Sequence, residues 1–162
     1  MGRRLAALAA LPLLALAGAA HADSAPPSDP IGDLLMSALT GALPGTPDFQ
    51  LKASLYHAGA RGVGGMDSLG CRVVAMRTAA IDAHLIPKHT ILFIKETVGL
   101  PLPDGGAHDG YWYASDTGGA IKGDRIDLFT GMNAASMKVM RSLNLTSLSV
   151  TKAGEFKGCP PN

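Results

Sequence analysis

The stretch that decides the fold spans residues 111–129 and reads YWYASDTGGAIKGDRIDLF. It opens with an aromatic run at 111–115 whose composition favours a β-strand, so Asp116 stands at the end of that strand. A hairpin-like return of the chain would then bring Asp127 back to the same end. The stretch predicts a pair of carboxylates at one end of a β-structure, which suits proton transfer.

Small and basic residues lie between these two aspartates. Gly118 and Gly119 lack side chains, which lets another backbone or a ligand approach closely. Lys122 and Arg125 add two positive charges. We interpret these four residues as candidates for substrate binding. The alternative is that the cations form ordinary surface ion pairs with Asp127.

Outside this stretch, the chain from Phe49 onwards indicates short strands. Runs rich in Val, Ile, Tyr and Leu are bounded by Gly, Pro, Asp or Asn. This pattern predicts a mainly β domain built as a small barrel. One short helix is expected at Ala134–Leu143, capped by Asn133. The predicted strands are 50–56, 71–76, 90–95, 111–115 and 147–152, and the glycine-rich segments 58–70 and 100–110 are predicted loops.

A third aspartate, Asp82, opens the run DAHLIP, just before a predicted strand. The pattern D-x-x-x-I-P followed by D-T-G-G-A-I-K-G-x-x-x-D resembles the signature of the 3D domain, a family named for its three aspartates. Such domains occur in the membrane-bound lytic transglycosylase A family and in bacterial stationary-phase survival proteins. The resemblance covers residues 51–150 and implies a double-psi β-barrel.

The same resemblance implies cleavage of the β-1,4 bond between N-acetylmuramic acid and N-acetylglucosamine in peptidoglycan, with no cofactor. The muramic 6-hydroxyl attacks its own anomeric carbon, so the product is a 1,6-anhydro sugar and no water is consumed. Asp127 takes the position of the general acid, with Asp116 and Asp82 as the other catalytic aspartates. Such an acid must be protonated near neutral pH, and burial or a neighbouring carboxylate raises a carboxyl pKa.

Two departures from the family pattern bear on this expectation. After Ile-Pro the chain has Lys88-His89-Thr90, where many relatives have a small residue and glycine. The large transglycosylases of this type also carry a second domain that helps to form the glycan groove. Residues 49–162 leave no room for one. We therefore expect a more open groove, or one completed by the loop at 100–110 or by an envelope protein partner.

Residues 1–48 resemble an export signal and a linker. Arg3 and Arg4 precede an uncharged run rich in Leu and Ala, and residues 20–22, Ala-His-Ala, fit a signal-peptidase site. We expect a signal peptide at 1–22, a Pro-rich linker at 23–48 with a short helix at 33–43, and the barrel at 49–162. Export implies the periplasm or cell envelope, with association to the outer membrane as a further expectation. An uncleaved anchor is the alternative.

The charge balance argues against a general affinity for polyanions. The chain has 14 Lys and Arg against 13 Asp and Glu. A balance this close to neutral is not that of a protein that binds nucleic acid or anionic membranes. No apolar run after the signal is long enough to cross a bilayer, so no stable membrane span is expected.

The two cysteines are Cys71 and Cys159. In an exported protein an even count favours a disulfide, which here would tie the last residues to a strand near the middle of the chain. Two buried free thiols are the alternative. Neither cysteine has a His or a second Cys at metal-finger spacing, so no metal site is expected.

Two other functions fit parts of the sequence. Asp-Thr-Gly occurs in aspartic proteases, where two carboxylates share a proton, but a single triplet would require a homodimer. A non-catalytic glycan-binding module is the stronger alternative, with Tyr111, Trp112 and Tyr113 as candidates for stacking on sugar rings. Side chains alternate along a strand, so Tyr111 and Tyr113 share one face and Trp112 the other, and at least one face is expected to be core.

Overall fold

The computed structural model describes residues 46–161, which form six strands and two 3₁₀ helices. The predicted signal peptide and the linker up to residue 45, including its short helix, lie outside the described residues. Within 46–161, no helix has both the length and the apolar character needed to span a membrane. The strands are β1 Phe49–His57, β2 Thr78–Ile81, β3 Thr90–Ile94, β4 Tyr111–Asp116, β5 Arg125–Gly131 and β6 Ser147–Glu155, and the 3₁₀ helices are Lys95–Thr97 and Ala134–Leu143.

The strands close into a barrel in the order β1-β5-β2-β4-β3-β6, and β6 pairs with β1 to complete it. The β1–β5 and β2–β4 pairs are parallel, whereas the other neighbours are antiparallel. Parallel neighbours need long crossover connections, so the chain passes repeatedly across the ends of the barrel. The prediction of a mainly β fold built as a small closed barrel is confirmed.

The aromatic strand β4 supplies the centre of the core. Trp112 is fully buried, and its indole N–H donates to Thr97 Oγ1 at 3.0 Å. Tyr113, on the other face, packs edge-on against Phe156, while Tyr111 is 37% exposed. The prediction that one face of this strand is core is confirmed, and burial makes Trp112 inaccessible for stacking on a sugar.

The strand predicted at 71–76 is wrong. This segment is a loop in which Arg72 forms only an isolated bridge to Met66. Met76 has a left-handed φ of 59°, whereas strand residues have strongly negative φ values, so a strand cannot pass through Met76. Strand β2 begins instead at Thr78 and reads Thr-Ala-Ala-Ile. Alanine is depleted in strands, which is why composition did not identify it.

The predicted helix Ala134–Leu143 has the predicted bounds and cap but 3₁₀ geometry. Asn133 caps it, because its side-chain oxygen accepts from the Ala135 N–H at 3.0 Å. The Ser136 hydroxyl donates to the Asn133 carbonyl at 2.6 Å, a local bond that competes with the α-helical pattern. The fully buried Met140 side chain joins the barrel core.

Cys71 and Cys159 form the predicted disulfide, with a Cα–Cα distance of 5.5 Å. Cys71 lies in the loop between β1 and β2 rather than in a strand. The bond therefore ties the segment after β6 to this loop. Other residues of the same loop line the cleft described below.

His108 anchors the loop between β3 and β4 inside the protein, where it is 1% exposed. Its Nδ1 accepts from the Gly110 N–H at 2.8 Å, which leaves the proton on Nε2, 2.6 Å from the Met76 carbonyl. Burial lowers the pKa of His108, the Met76 carbonyl opposes this, and the charges of Arg77 and Asp109 have smaller effects of opposite sign. The neutral imidazole is therefore the form that the fold favours.

We expect His108 to make the free energy of unfolding depend on pH. Its folded-state pKa lies below the unfolded value of about 6.5, so its stabilisation is complete above that pH and is lost as the pH falls through the folded value. His108→Gln should therefore lose less stability than the wild type between about pH 7.5 and pH 5. Urea unfolding at both pH values measures this, with the exposed His84 changed to Gln as control. If the free energy of unfolding changed equally with pH in His108→Gln and in the wild type, this expectation would be wrong.

Candidate active site

An open cleft of about 220 Å³ lies at the end of the barrel where β4 ends. Asp116 and Asp127 both line it, with Ala80 of β2 beside them. One wall is the glycine-rich loop after β1, and the other is the loop that begins at Thr117.

The spacing of the two aspartates follows from strand β2. Ala80 pairs with Asp127 on β5 and with Asp116 on β4. Neighbouring strands lie about 4.8 Å apart, so the two aspartate backbones are about 10 Å apart. The predicted hairpin-like return is wrong, because β2 separates β4 from β5. The two carboxylates nonetheless share one cleft, and the small Ala80 side chain leaves space between them.

Of the two aspartates that line the cleft, Asp127 is the one with an unpartnered oxygen. Its Oδ1 is buried and has no hydrogen-bond partner among residues 46–161. Burial raises the pKa of Asp127 and the Asp116 charge adds to this, whereas the Ser54 hydroxyl and the Arg125 charge lower it. The ion pair within the described part of the chain joins Arg77 to Asp109 instead. A carboxyl that is easily protonated and faces an open cleft can act as a general acid.

Asp116, in contrast, is fully engaged. Its Oδ2 accepts from the Tyr56 hydroxyl at 2.9 Å, and its Oδ1 accepts from the Thr117 N–H at 2.8 Å and the Ser68 N–H at 3.0 Å. Burial raises the pKa of Tyr56, and the Asp116 charge adds to this, so the phenol keeps its proton and remains a donor. The two aspartates of the cleft are therefore chemically distinct.

Asp82 does not line the cleft. Its Oδ2 accepts from the Gly123 N–H at 2.8 Å and its Oδ1 from the His84 N–H at 3.1 Å. These bonds, with Gly123 first, lower the pKa of Asp82. Gly123 has a left-handed φ of 62°, so the bond holds the turn that leads into β5. These are the contacts of a loop anchor, whereas the sequence predicted a catalytic aspartate.

The two glycines predicted to bind substrate have different surroundings. Gly118 lines the cleft, and a Cβ there would come within 2.8 Å of Ile121 Cγ1. A side chain at 118 would therefore force Ile121 to move. Gly119 is exposed, and a Cβ there would meet no atom within 4 Å. The structure thus gives a steric reason for glycine at 118 only.

The two predicted cations also act on different aspartates. Arg125 lowers the pKa of Asp127, whereas Lys122 lowers that of Asp82. Both side chains are exposed. Among residues 46–161, no three His, Cys, Asp or Glu side chains are grouped in a way that could hold a metal ion.

The segment Lys88-His89-Thr90, which departs from the family pattern, has an unusual backbone conformation. His89 has a left-handed φ of 69°, a conformation that glycine adopts freely and other residues adopt at a cost of about 1–2 kcal/mol. The Lys88 ammonium donates to the Ser68 carbonyl at 3.2 Å. This segment therefore contacts the same loop that binds Asp116.

Residues 77–143 match the family model of the 3D domain. The matched segment holds Asp82, Asp116 and Asp127, with β2, β4 and β5 that carry or flank them. Over this segment the chain is similar to the 3D domain family. The resemblance predicted from the aspartate motifs is confirmed.

Solved structures similar to this chain include MltA from Neisseria gonorrhoeae, 27% identical over 59% of this chain and 23% of that one, with a TM-score of 0.43. E. coli MltA with bound chitohexaose is 24% identical over 52% of this chain and 26% of that one, with a TM-score of 0.39. LtgG, a lytic transglycosylase of Burkholderia pseudomallei, is 24% identical over 57% of this chain and 26% of that one, with a TM-score of 0.39. The chain therefore spans about a quarter of these structures. No curated protein sequence matches it significantly.

Two groups that hold Asp116 precede the matched 3D segment, and sequence reasoning missed both. Tyr56 ends the first predicted strand, but nothing in the sequence identifies Asp116 as its partner. Ser68 contributes a backbone N–H, which no residue pattern reveals. Only the fold brings these two groups to Asp116.

We expect Tyr56→Phe to weaken the fold without disrupting it. The variant loses the bond to Asp116 but keeps the ring, whose centroid lies 5.2 Å from that of Phe129. A hydrogen bond to a charged group contributes about 1.5–3 kcal/mol, so urea unfolding should show a loss of that size. Tyr113→Phe, a hydroxyl deletion outside the cleft, is the control. An unchanged unfolding free energy in Tyr56→Phe would contradict the expectation.

Proposed function

We propose that this protein is a peptidoglycan lytic transglycosylase that cleaves between N-acetylmuramic acid and N-acetylglucosamine and leaves a 1,6-anhydro end. The observation that carries the proposal is the buried, unpartnered oxygen of Asp127, on a carboxyl whose pKa is raised and which lines an open cleft. Asp127 is also the last aspartate of the motif within the matched 3D segment, which supports the same assignment.

The proposed reaction needs one protein carboxyl. Protonated Asp127 gives its proton to the oxygen that joins the two sugars, and the bond from the muramic C1 to that oxygen breaks. The resulting Asp127 carboxylate then takes the proton of the muramic 6-hydroxyl. The oxygen of that hydroxyl bonds to C1 and closes the 1,6-anhydro ring. Asp127 ends protonated, no water is consumed, and the two products contain all the atoms of the substrate.

The engagement of Asp116 supports a nucleophile that belongs to the substrate. Ordinary glycosidases use two carboxyl groups, one as acid and the other as nucleophile or base. Both oxygens of Asp116 already accept hydrogen bonds. We assign Asp116 the role of a fixed negative charge that raises the pKa of Asp127 and stabilises positive charge developing at C1.

The remaining predicted residues take supporting roles in this proposal. Asp82 holds the turn at Gly123, and Gly118 lets the glycan approach the backbone beside Asp116. Gly119, Lys122 and Arg125 are exposed, and in this proposal they contact the glycan strand. The proposed partner is peptidoglycan, and the proposed location is the periplasm or cell envelope, where an envelope protein could complete the open groove.

Incubation of the purified protein with insoluble peptidoglycan tests the proposal. Soluble muropeptides in the supernatant are the expected result. Protein that sediments with the wall but releases nothing would overturn the proposed enzyme and favour the glycan-binding module. Among the aromatic candidates for that module, Tyr111 is the most exposed.

A further inference from the structure

We infer that Asp67 is a positioning residue of the active site: it builds the turn that presents the Ser68 N–H to Asp116, and the Cys71–Cys159 disulfide anchors that turn. The effect on turnover rests on the proposed function, whereas the effect on the Ser68–Asp116 contact does not.

Asp67 closes the turn with both its side chain and its backbone. Its Oδ1 accepts from the Leu69 N–H at 3.0 Å and the Cys71 N–H at 2.8 Å. Its backbone N–H donates to the Cys71 carbonyl at 2.8 Å, and its carbonyl accepts from the Gly70 N–H at 3.0 Å. Four hydrogen bonds thus fix five residues, with Gly70 at a left-handed φ of 80°.

Ser68 lies within this turn and connects it to the cleft. Its N–H donates to Asp116 Oδ1 at 3.0 Å, and its hydroxyl donates to the Ser115 carbonyl at 3.0 Å. Its own carbonyl accepts from Lys88. The position of the Ser68 N–H therefore depends on the turn that Asp67 closes.

The charge of Asp67 has a second effect on the same site. Asp67 is 7% exposed, and its Oδ2 is buried without a partner among residues 46–161. An unpartnered buried oxygen costs free energy, and asparagine could close the same turn without a buried charge. The Asp67 charge also adds to the causes that raise the pKa of Tyr56. Burial and Asp116 are the larger causes, so the donor to Asp116 that depends on Asp67 is the Ser68 N–H.

The disulfide holds the end of the turn. Cys71 is its last residue and is bonded to Cys159, beyond β6. The barrel strands are joined to one another by ladder hydrogen bonds that do not involve the disulfide. We therefore expect reduction to loosen the turn before it unfolds the barrel.

Two backbone amides in one protein provide the test. The Ser68 and Thr117 N–H groups donate to the same oxygen of Asp116, so NMR spectra should show both amides protected from hydrogen exchange. In Asp67→Ala, Ser68 should lose this protection while Thr117 keeps it. Asp67→Asn, which retains the accepting oxygen, should keep both. Asp104→Ala removes a similar turn carboxylate, which accepts from the Gly106 N–H in an exposed loop, and should change neither amide.

Disulfide reduction and activity complete the test. Reduced wild-type protein should also lose the protection of the Ser68 amide and keep that of Thr117, which gives a second route if Asp67→Ala does not fold. Release of muropeptides should fall about tenfold in Asp67→Ala, through turnover rather than KM. A Ser68 amide that stays protected after both changes would overturn the inference. A wild type that releases nothing, with the amide results as expected, would overturn the proposed function and leave the positioning role standing.

Discussion

Asp127→Asn should lower the release of muropeptides from peptidoglycan by about 10²–10⁴-fold, the usual contribution of a general acid. The change keeps the size of the side chain but removes the proton that the glycosidic oxygen must receive. Release rates at equal protein concentration, with circular dichroism to check the fold, measure the effect. Asp124→Asn changes an exposed aspartate close to it in sequence and should keep wild-type activity. Full activity in Asp127→Asn would mean that another group is the acid.

The same raised pKa gives the pH dependence a definite sign. Asp127 must be protonated to act, so activity should fall as the pH rises through its folded-state pKa. A carboxyl whose folded pKa lies above the unfolded value stabilises the fold only at low pH, and this is lost as the pH rises through the folded value. Asp127→Asn should therefore increase the free energy of unfolding at neutral pH, because it removes a charge that burial disfavours. Urea unfolding at neutral pH measures this, and a variant less stable than the wild type would contradict the prediction.

Replacing Cys71 and Cys159 together with serine should lower the free energy of unfolding by about 2–5 kcal/mol. The two residues are 88 positions apart in sequence, and a bond that closes so long a loop restricts the unfolded chain strongly. Urea unfolding of the double variant against the oxidised wild type measures the loss. Wild type treated with reductant is the matched control and should show a loss of similar size. Unchanged stability in both would show that the bond contributes little.

The sequence was most informative where chemistry and local pattern coincide. The motif singled out Asp116 and Asp127, and both line the cleft. Composition indicated a barrel of short strands, and the cysteine count predicted the disulfide. Each of these features depends on residue type and short-range spacing.

What could not be predicted depends on contacts between distant parts of the chain. β2 was missed because Ala79 and Ala80 are poor strand formers, although their small side chains suit a strand between β4 and β5. Without β2, the path between the two aspartates appeared to be a hairpin. Tyr56 and the Ser68 N–H lie 60 and 48 positions from Asp116, so their role becomes visible only when the barrel closes. Asp82 occupies a position of the aspartate motif, but its carboxylate accepts from the Gly123 N–H and anchors a turn.

Digestion of purified peptidoglycan in water enriched in ¹⁸O tests the central claim most directly. The proposed reaction consumes no water, so mass spectrometry should find muropeptides with 1,6-anhydro ends and no ¹⁸O, and Asp127→Asn should not produce them. Reducing ends that carry one ¹⁸O for each bond cleaved would contradict the account, because they would show that water, and not the muramic 6-hydroxyl, attacks the anomeric carbon.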